Sequence, residues 1–328
     1  MKIILIPDRI DEKPEIEKSI FGQGFKIITA NAKKVSDIET NVWQNADAIL
    51  AWHDLVYDES LINKLSKCKV IVRVGVGFDN VDLDAAKKAG IIVSNVPDYG
   101  TEDVANHAMS LLLSLNRQLG NYHDRVFKSK IWDWDLGMGL QRLNDLTLGV
   151  IGCGRIGTAL IQRAKPFGLN IIFYDPYVST GYEKSLQVQR AMELEELTKI
   201  SDIISFHVPL NSETRAMGDE NFFSNIKKRC TIINTSRGEV ISLDSLYRAM
   251  KIGKVSKIGL DVLEEEPINL NHPIFKSVSN SDDWVRGRVI ITPHCAFYCN
   301  ESFIEMREKA AFEAKRVLIG DSPLNRVN

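Results

Sequence analysis

Three ionisable residues stand at comparable places in this 328-residue sequence, each just past a short apolar run. Arg237 follows Thr231–Asn234, Glu266 follows Ile258–Leu260, and His294 follows Val289–Ile291. A cation, a carboxylate and an imidazole at the ends of successive strands suit chemistry on an alcohol or carbonyl. An imidazole takes or gives the hydroxyl proton, a carboxylate orients it, and a guanidinium polarises the carbonyl and holds an anionic substrate. In an open α/β sheet, ligands bind at the carboxyl ends of the strands. His107, His123, His207 and His272 lack such company and read as structural or exposed. His53, after the run Ala48–Ala51, reads either that way or as lining a cleft, and Trp52 beside it as a possible border.

The run Leu148-Gly-Val-Ile-Gly152-Cys-Gly154-Arg-Ile-Gly157 is Gly-x-Gly-x-x-Gly after a strand and opening a helix. Gly152 permits the tight turn, Gly154 lets the backbone approach a pyrophosphate, and Gly157 lets helix and strand pack closely. The helix start offers unpaired N–H groups and a positive dipole end to the phosphates. Asp175 ends the next strand, 18 residues beyond Gly157. A carboxylate there suits a ribose 2′-hydroxyl and repels a 2′-phosphate, which favours NAD over NADP. The next arginine after it is Arg190.

The elements that position these residues alternate along the whole chain. Lys2–Ile6, Phe25–Thr29, Ala48–Ala51, Val70–Val74 and Ile91–Ser94 read as five buried strands. Leu148–Ile151, Ile171–Tyr174, Ile203–Phe206, Thr231–Asn234, Ile258–Leu260 and Val289–Ile291 add six. Helical stretches fall between them, so two parallel sheets are expected. Thr101 reads as the N-cap of a long helix over Glu102–Arg117, and Asn269–Arg288 reads as a loop. Length gives a prior of two domains at about 150 residues each.

Composition narrows the function classes. Lys and Arg number 41 against 43 Asp and Glu, a net charge of −2, which argues against nucleic-acid or membrane-surface binding. No apolar run approaches the roughly 18 residues of a membrane span, and the N-terminal strand is too short an apolar stretch for a signal peptide. Five cysteines (68, 153, 230, 295, 299) without framework spacing suit a reducing cytoplasm. Cys295 and Cys299 follow His294 closely, but no partner pair is spaced to complete a four-ligand metal site, so no metal is expected.

Asn234-Thr-Ser-Arg-Gly, Gly259-Leu-Asp-Val-x-x-x-Glu266-Pro and Thr292-Pro-His resemble the signature blocks of the D-isomer-specific 2-hydroxyacid dehydrogenases. Val70-Ile-Val-Arg-Val-Gly-Val-Gly-Phe-Asp, Asn95-Val-Pro and His294-Cys-Ala-Phe-Tyr resemble its C-terminal-binding-protein-like branch, related to phosphoglycerate dehydrogenases. The resemblance implies two doubly wound α/β domains. A Rossmann NAD domain over 99–298 would be inserted into a flavodoxin-like substrate domain built from 1–98 and 299–328. It implies that His294 is the acid/base, Glu266 its orienting partner, and Arg237 the anchor of the substrate carboxylate. Arg73, Gly75, Val76, Gly77 and Phe297 would contact the substrate. Besides the glycine motif and Asp175, the cofactor contacts carried over are Val76, Arg155, Ile156, Val208, Pro209, Thr214, Thr235, Ser236 and Asp261.

The activity so implied is NAD-dependent interconversion of a small 2-oxo acid and its D-2-hydroxy acid. A cytoplasmic homodimer is expected, paired through the 102–117 helix and the arm reaching Trp134. Phe297 stands where the corepressors carry Trp, and a serine-feedback module like that of many phosphoglycerate dehydrogenases is not expected. Val278–Arg288 reads as an extended loop able to shape the active-site rim, with Arg286 and Arg288 as candidate cations for a 3-phosphate. The alternative is an NADH-sensing binding module like the corepressors. Formate dehydrogenase chemistry is disfavoured because it transfers no proton.

Overall fold

The computed structural model describes residues 1–8, 13–135 and 140–328. The chain divides into two compact units, Met1–Gly100 with Tyr298–Asn328, and Thr101–Phe297.

The first unit holds, among the described residues, a five-stranded parallel sheet in the order β2-β1-β3-β4-β5. Its strands are β1 (Lys2–Ile6), β2 (Phe25–Thr29), β3 (Ala48–Ala51), β4 (Val70–Arg73) and β5 (Ile92–Ser94). This is the flavodoxin-like order. β3 and β4 are buried at every position, as strands covered on both faces should be. Helices α1 (Glu15–Phe21), α2 (Thr40–Asn45), α3 (Glu59–Ile62) and α4 (Leu83–Lys88) connect them, and α13 (Asn300–Ile319) returns from the far end of the chain. Asp58 and Asp82 cap α3 and α4 by accepting the N–H groups of Leu61 and Ala85. Two buried acids tie α13 into this unit. Glu17 on α1 takes two bonds of 2.8 Å from the Arg307 guanidinium. Glu313 accepts from Ser94 and from the backbone of Leu324 and Asn325, which brings the tail beside β5.

The second unit holds a seven-stranded parallel sheet, among the described residues, in the order β12-β11-β10-β9-β6-β7-β8. These are β6 (Thr147–Ile151), β7 (Asn170–Tyr174), β8 (Gln189–Ala191), β9 (Ile203–Phe206), β10 (Cys230–Asn234), β11 (Val255–Leu260) and β12 (Val289–Ile291). The order is that of the dinucleotide fold extended by one strand, with its switch point between β6 and β9. Helices α5 (Thr101–Arg117), α6 (Leu119–Phe127), α7 (Arg155–Ala164), α8 (Tyr182–Leu186), α9 (Leu194–Ile200), α10 (Glu220–Asn225), α11 (Leu243–Lys251) and α12 (Pro273–Ser279) fill the connections. None of the described helices is long and apolar enough to cross a membrane.

Several expectations need correcting. The sequence reading finds six strands here and misses β8, an edge strand of Gln, Arg and Ala without an apolar run. Thr101 lies inside α5 rather than capping it. The 269–288 segment is not a plain loop, because it contains α12 and a short 3-10 turn at Asp283–Val285. Pro273 opens α12 at its first position, where a missing N–H costs nothing. The α5 helix spends its apolar face internally: a Cβ on Gly259 of β11 would sit 3.1 Å from Leu111 and Leu115. Among the exposed large apolar side chains, Trp132 at 90% and Trp134 at 83% exposure lie in the arm beyond it.

Candidate active site

The glycine turn between β6 and α7 meets the demands of a pyrophosphate cradle. Gly152 has φ 89°, and a Cβ there would lie 2.6 Å from the His207 carbonyl oxygen. A Cβ on Gly157 would meet the Gly152 carbonyl oxygen at 2.0 Å. A Cβ on Gly154 would meet nothing within 4 Å, so that position faces open space beside the N-terminus of α7. A cleft of about 640 Å³ opens there, lined by Gly154, Arg155, Thr158, Arg163, Val178 and Tyr182 among others. Ile156 follows Arg155 in the first turn of α7.

Asp175 ends β7 and accepts the Cys153 N–H at 2.8 Å on one oxygen and the Tyr177 N–H at 2.9 Å on the other. These bonds aim the carboxylate beside the glycine turn, and each oxygen keeps a further lone pair for a ribose hydroxyl. Arg190 is nearby in space, but its guanidinium donates to the carbonyl oxygens of Asp175, Val178 and Ser179. It braces the loop, as the fit to NAD requires.

Two further atoms at this edge fit a bound cofactor. Thr235 Oγ1 and His207 Nδ1 are buried and have no hydrogen-bond partner among the described residues, one just past β10 and the other just past β9. Buried polar atoms without a partner are uncommon and call for a ligand or a water. Ser205 engages the other ring nitrogen of His207 at 2.8 Å. Burial holds the His207 imidazole down at about 4, hence neutral at physiological pH. The Val208–Thr214 stretch is held rigid, since Thr214 donates to the Pro209 carbonyl and Asn211 accepts the N–H groups of Glu213 and Thr214.

Arg237 is aimed by a local device. Asn234 closes a turn by accepting from the Ser236 N–H and hydroxyl and by donating to the Arg237 carbonyl. The Gly238 that follows lies so close to the chain that a Cβ would be 1.9 Å from the Leu263 carbonyl carbon. Those contacts give the Asn-Thr-Ser-Arg-Gly run a physical reason.

Glu266 and His294 lie side by side. His294 Nδ1 lies 2.8 Å from Glu266 Oε2, while the other carboxylate oxygen accepts the Leu263 N–H at 2.9 Å. The pairing engages Nδ1 and so fixes the orientation of the ring. His294 has φ 51°, a left-handed conformation that a non-glycine residue holds only when its surroundings enforce it. The surroundings are a knot around Asp261. That carboxylate, 2% exposed, accepts from the Thr292 hydroxyl at 2.6 Å and from the Cys295 and Ala296 N–H groups at 2.9 Å. Its carbonyl accepts the His294 N–H at 2.8 Å. His107 on α5 adds a contact of 3.0 Å to Thr292. Nothing local in the sequence links His107 to Thr292, 185 positions away.

Arg237, Glu266 and His294 thus leave the carboxyl ends of β10, β11 and β12, which are neighbours in the sheet. Phe297 closes this unit at its C-terminal boundary. In the first unit, Arg73 ends β4, is 7% exposed, and donates to the Val74 carbonyl. Gly75 has φ 150°, and a Cβ there would lie 2.6 Å from the Arg73 guanidinium. The Val76 carbonyl accepts from the Asn95 side chain, and Gly77 follows in the same loop. Trp52 packs on Phe303 at 5.6 Å between ring centroids and is 4% exposed; His53 beside it is partly exposed.

Arg286 and Arg288 do not join the site. Arg286 pairs with Asp283, and Arg288 precedes β12 at its amino end, where it donates to the Ser256, Trp284 and Val255 carbonyls. The 278–288 segment therefore belongs to the edge opposite His294.

The sheet order and the glycine turn are those of a dinucleotide-binding α/β fold, and comparison with known proteins specifies the family. Residues 109–296 match the family model described as "D-isomer specific 2-hydroxyacid dehydrogenase, NAD binding domain". The chain belongs to that family of NAD-dependent enzymes. It is 37% identical to the D-3-phosphoglycerate dehydrogenase of Methanocaldococcus jannaschii over 87% of this chain and 52% of that protein. The chain thus spans about half the length of that relative. It is 34% identical to the glyoxylate reductase of Korarchaeum cryptofilum, over 87% of this chain and 83% of the relative. Among solved structures it resembles a D-lactate dehydrogenase from Aquifex aeolicus in complex with NAD and lactic acid. That match has TM-score 0.86 and 34% identity, covering 97% of this chain and 96% of the other.

Proposed function

We propose that this protein reduces a small 2-oxo acid to the D-2-hydroxy acid, and runs the reverse oxidation, with Arg237, Glu266 and His294 carrying the chemistry. The observation that carries the reading is the Glu266–His294 pair at 2.8 Å, on the same sheet edge as Arg237 and the glycine turn. NADH, when bound, supplies the hydride. His294 Nε2 gives its proton to the oxygen of the substrate carbonyl, and Glu266 holds the ring so that the same nitrogen always faces the reaction. Arg237 makes charge-assisted bonds to the substrate carboxylate and polarises the carbonyl. Gly152, Gly154, Gly157 and the first N–H groups of α7 would hold the pyrophosphate, Asp175 the ribose, and Thr235 and His207 the polar groups of the cofactor nearer the reaction. Arg73, Gly75, Val76, Gly77 and Phe297 enter this reading through the family resemblance.

Hydroxypyruvate, its 3-phosphate, glyoxylate and pyruvate are the substrates to assay first, each with NADH and NADPH. Oxidation of NADH with at least one of them is expected, and NADPH should serve poorly. Tight NADH binding with no turnover of any 2-oxo acid would sink the enzyme reading and favour a cofactor-sensing binding module.

The same reading includes a cytoplasmic homodimer. Exposed Leu119, Phe127, Ile131, Trp132 and Trp134 support pairing through the arm, and five unpaired cysteines support a reducing compartment. Sedimentation of the protein and of a Trp132→Ser, Trp134→Ser variant tests the pairing. A monomeric wild type ends it.

A further inference from the structure

The knot beneath His294 brings together three groups of different chemistry. His107 Nε2, an Asp261 carboxylate oxygen and Cys295 Sγ lie within 4.8 Å of one another. The imidazole and the carboxylate are 3.7 Å apart. Tetrahedral zinc, with bonds of about 2.0–2.3 Å to nitrogen, oxygen and sulfur, needs its ligand atoms roughly 3.3–3.8 Å apart. The nitrogen–oxygen pair already has that spacing, and the sulfur lies within 4.8 Å of both. His107 and Cys295 are partly exposed, so an ion can reach them. The set of one nitrogen, one oxygen and one sulfur excludes the oxygen-preferring magnesium and calcium ions and suits a borderline-soft divalent ion.

We propose that His107, Asp261 and Cys295 form an inhibitory Zn²⁺ site beside the proton donor. On binding, the Cys295 thiol releases its proton and the thiolate takes the ion. The His107 proton moves from Nε2 to Nδ1, so that Nε2 offers its lone pair, and the Asp261 oxygen that accepts from Thr292 and from the Cys295 N–H exchanges the Thr292 hydrogen bond for the ion to complete the protein set. Water takes the fourth position. The ion then sits one residue from His294 and on a carboxylate of the cofactor edge, so that zinc and NADH exclude each other. This last consequence rests on the function proposed above, whereas the metal site itself does not.

The test uses the full chain, stripped with a chelator and titrated with Co²⁺ as a spectroscopic stand-in and then with Zn²⁺. One ion per chain is expected, with a thiolate-to-cobalt charge-transfer band. Cys295→Ser should abolish that band and weaken Zn²⁺ binding more than about tenfold. His107→Asn should weaken it by a similar factor, and Cys299→Ser should keep the band. Melting curves of each variant establish that it folds, and Cys295→Ala serves if Cys295→Ser does not. Zn²⁺ should inhibit NADH oxidation in competition with NADH, and a chelator should restore it. Absence of the band, or a band that survives in Cys295→Ser, overturns the site. If no 2-oxo acid is turned over, the cobalt spectrum still decides the metal question. A clear band without inhibition would overturn only the inhibitory role.

Discussion

The strands β10, β11 and β12 carry charged groups at both ends, and the two ends use them differently. At the carboxyl ends stand Arg237, Glu266 and His294, with Asp261 holding the loop and Thr235 keeping a buried hydroxyl without a hydrogen-bond partner among the described residues. At the amino ends stand Arg229, Lys257 and Arg288. The Lys257 ammonium is pushed down by burial and then by the charges of Arg229 and Arg288. Arg288 is lowered mainly by burial, and it answers by donating to three carbonyls. The β–α succession explains the contrast. It points helix N-termini at the carboxyl edge, which favours bound anions, and helix C-termini at the amino edge, which favours cations of the protein itself. Cations at the amino end stitch strands together, whereas the cation at the carboxyl end is, in the function proposed above, the substrate's anchor.

The largest expected effect falls at the carboxyl end. His294→Ala should lower turnover about 10²–10⁴-fold while NADH affinity, followed by fluorescence titration, stays the same. Unchanged turnover would remove the proton donor and with it the distinction between the two ends.

A pH effect comes next. His207 is held at about 4 in the folded protein against 6.5 for the ordinary imidazole. The unfolded chain therefore binds its proton first, so folding stability is complete above pH 6.5 and declines as pH falls toward 4. The loss approaches about 3 kcal/mol at most. Urea unfolding at pH 7 and pH 4.5 should show this decline in the wild type and much less of it in His207→Asn. Equal declines in both would mean that other groups carry the acid sensitivity.

The amino end sharpens the comparison from the other side. Arg288→Met should cost about 1–3 kcal/mol of stability through lost bonds to backbone carbonyls. It should leave kcat/KM untouched for every 2-oxo acid, phosphorylated ones included. A raised KM confined to phosphorylated substrates would bring this end back into the site.

The smallest structural effect is expected at Gly154. Its Cβ position is open and its φ is −72°, so Gly154→Ala should change stability by less than about 0.5 kcal/mol. NADH affinity should fall nonetheless, because the methyl group takes the space of the pyrophosphate. Unchanged affinity would mean that the phosphates lie elsewhere.

Much of this was legible in the chain, because the informative features are local. The glycine turn works through residues within one strand–helix junction. Arg237, Glu266 and His294 announce themselves because each follows a strand by only a few positions. What stayed hidden depends on distant partners or on edges. His107 gains meaning only by reaching Thr292, and the Asp261 carboxylate only by its bonds to Thr292, Cys295 and Ala296. β8 escaped because an edge strand need not be apolar. α12 escaped because Pro273 reads as a breaker, although its position after His272, whose ring accepts the Ile274 N–H, is a helix start.

Most of the alternation of strands and helices, the glycine turn, and the placing of Arg237, Glu266 and His294 just past successive strands follow from residue types and short spacings. The tertiary structure decided which end of β12 each charged residue occupies, and so removed Arg286 and Arg288 from the site. It also decided that a histidine from α5 and a cysteine from the far loop share one aspartate. Spacing along a chain specifies contacts only within an element and its adjoining turns. Contacts between elements depend on strand order and on which atoms burial leaves without water, and those are properties of the packed sheet.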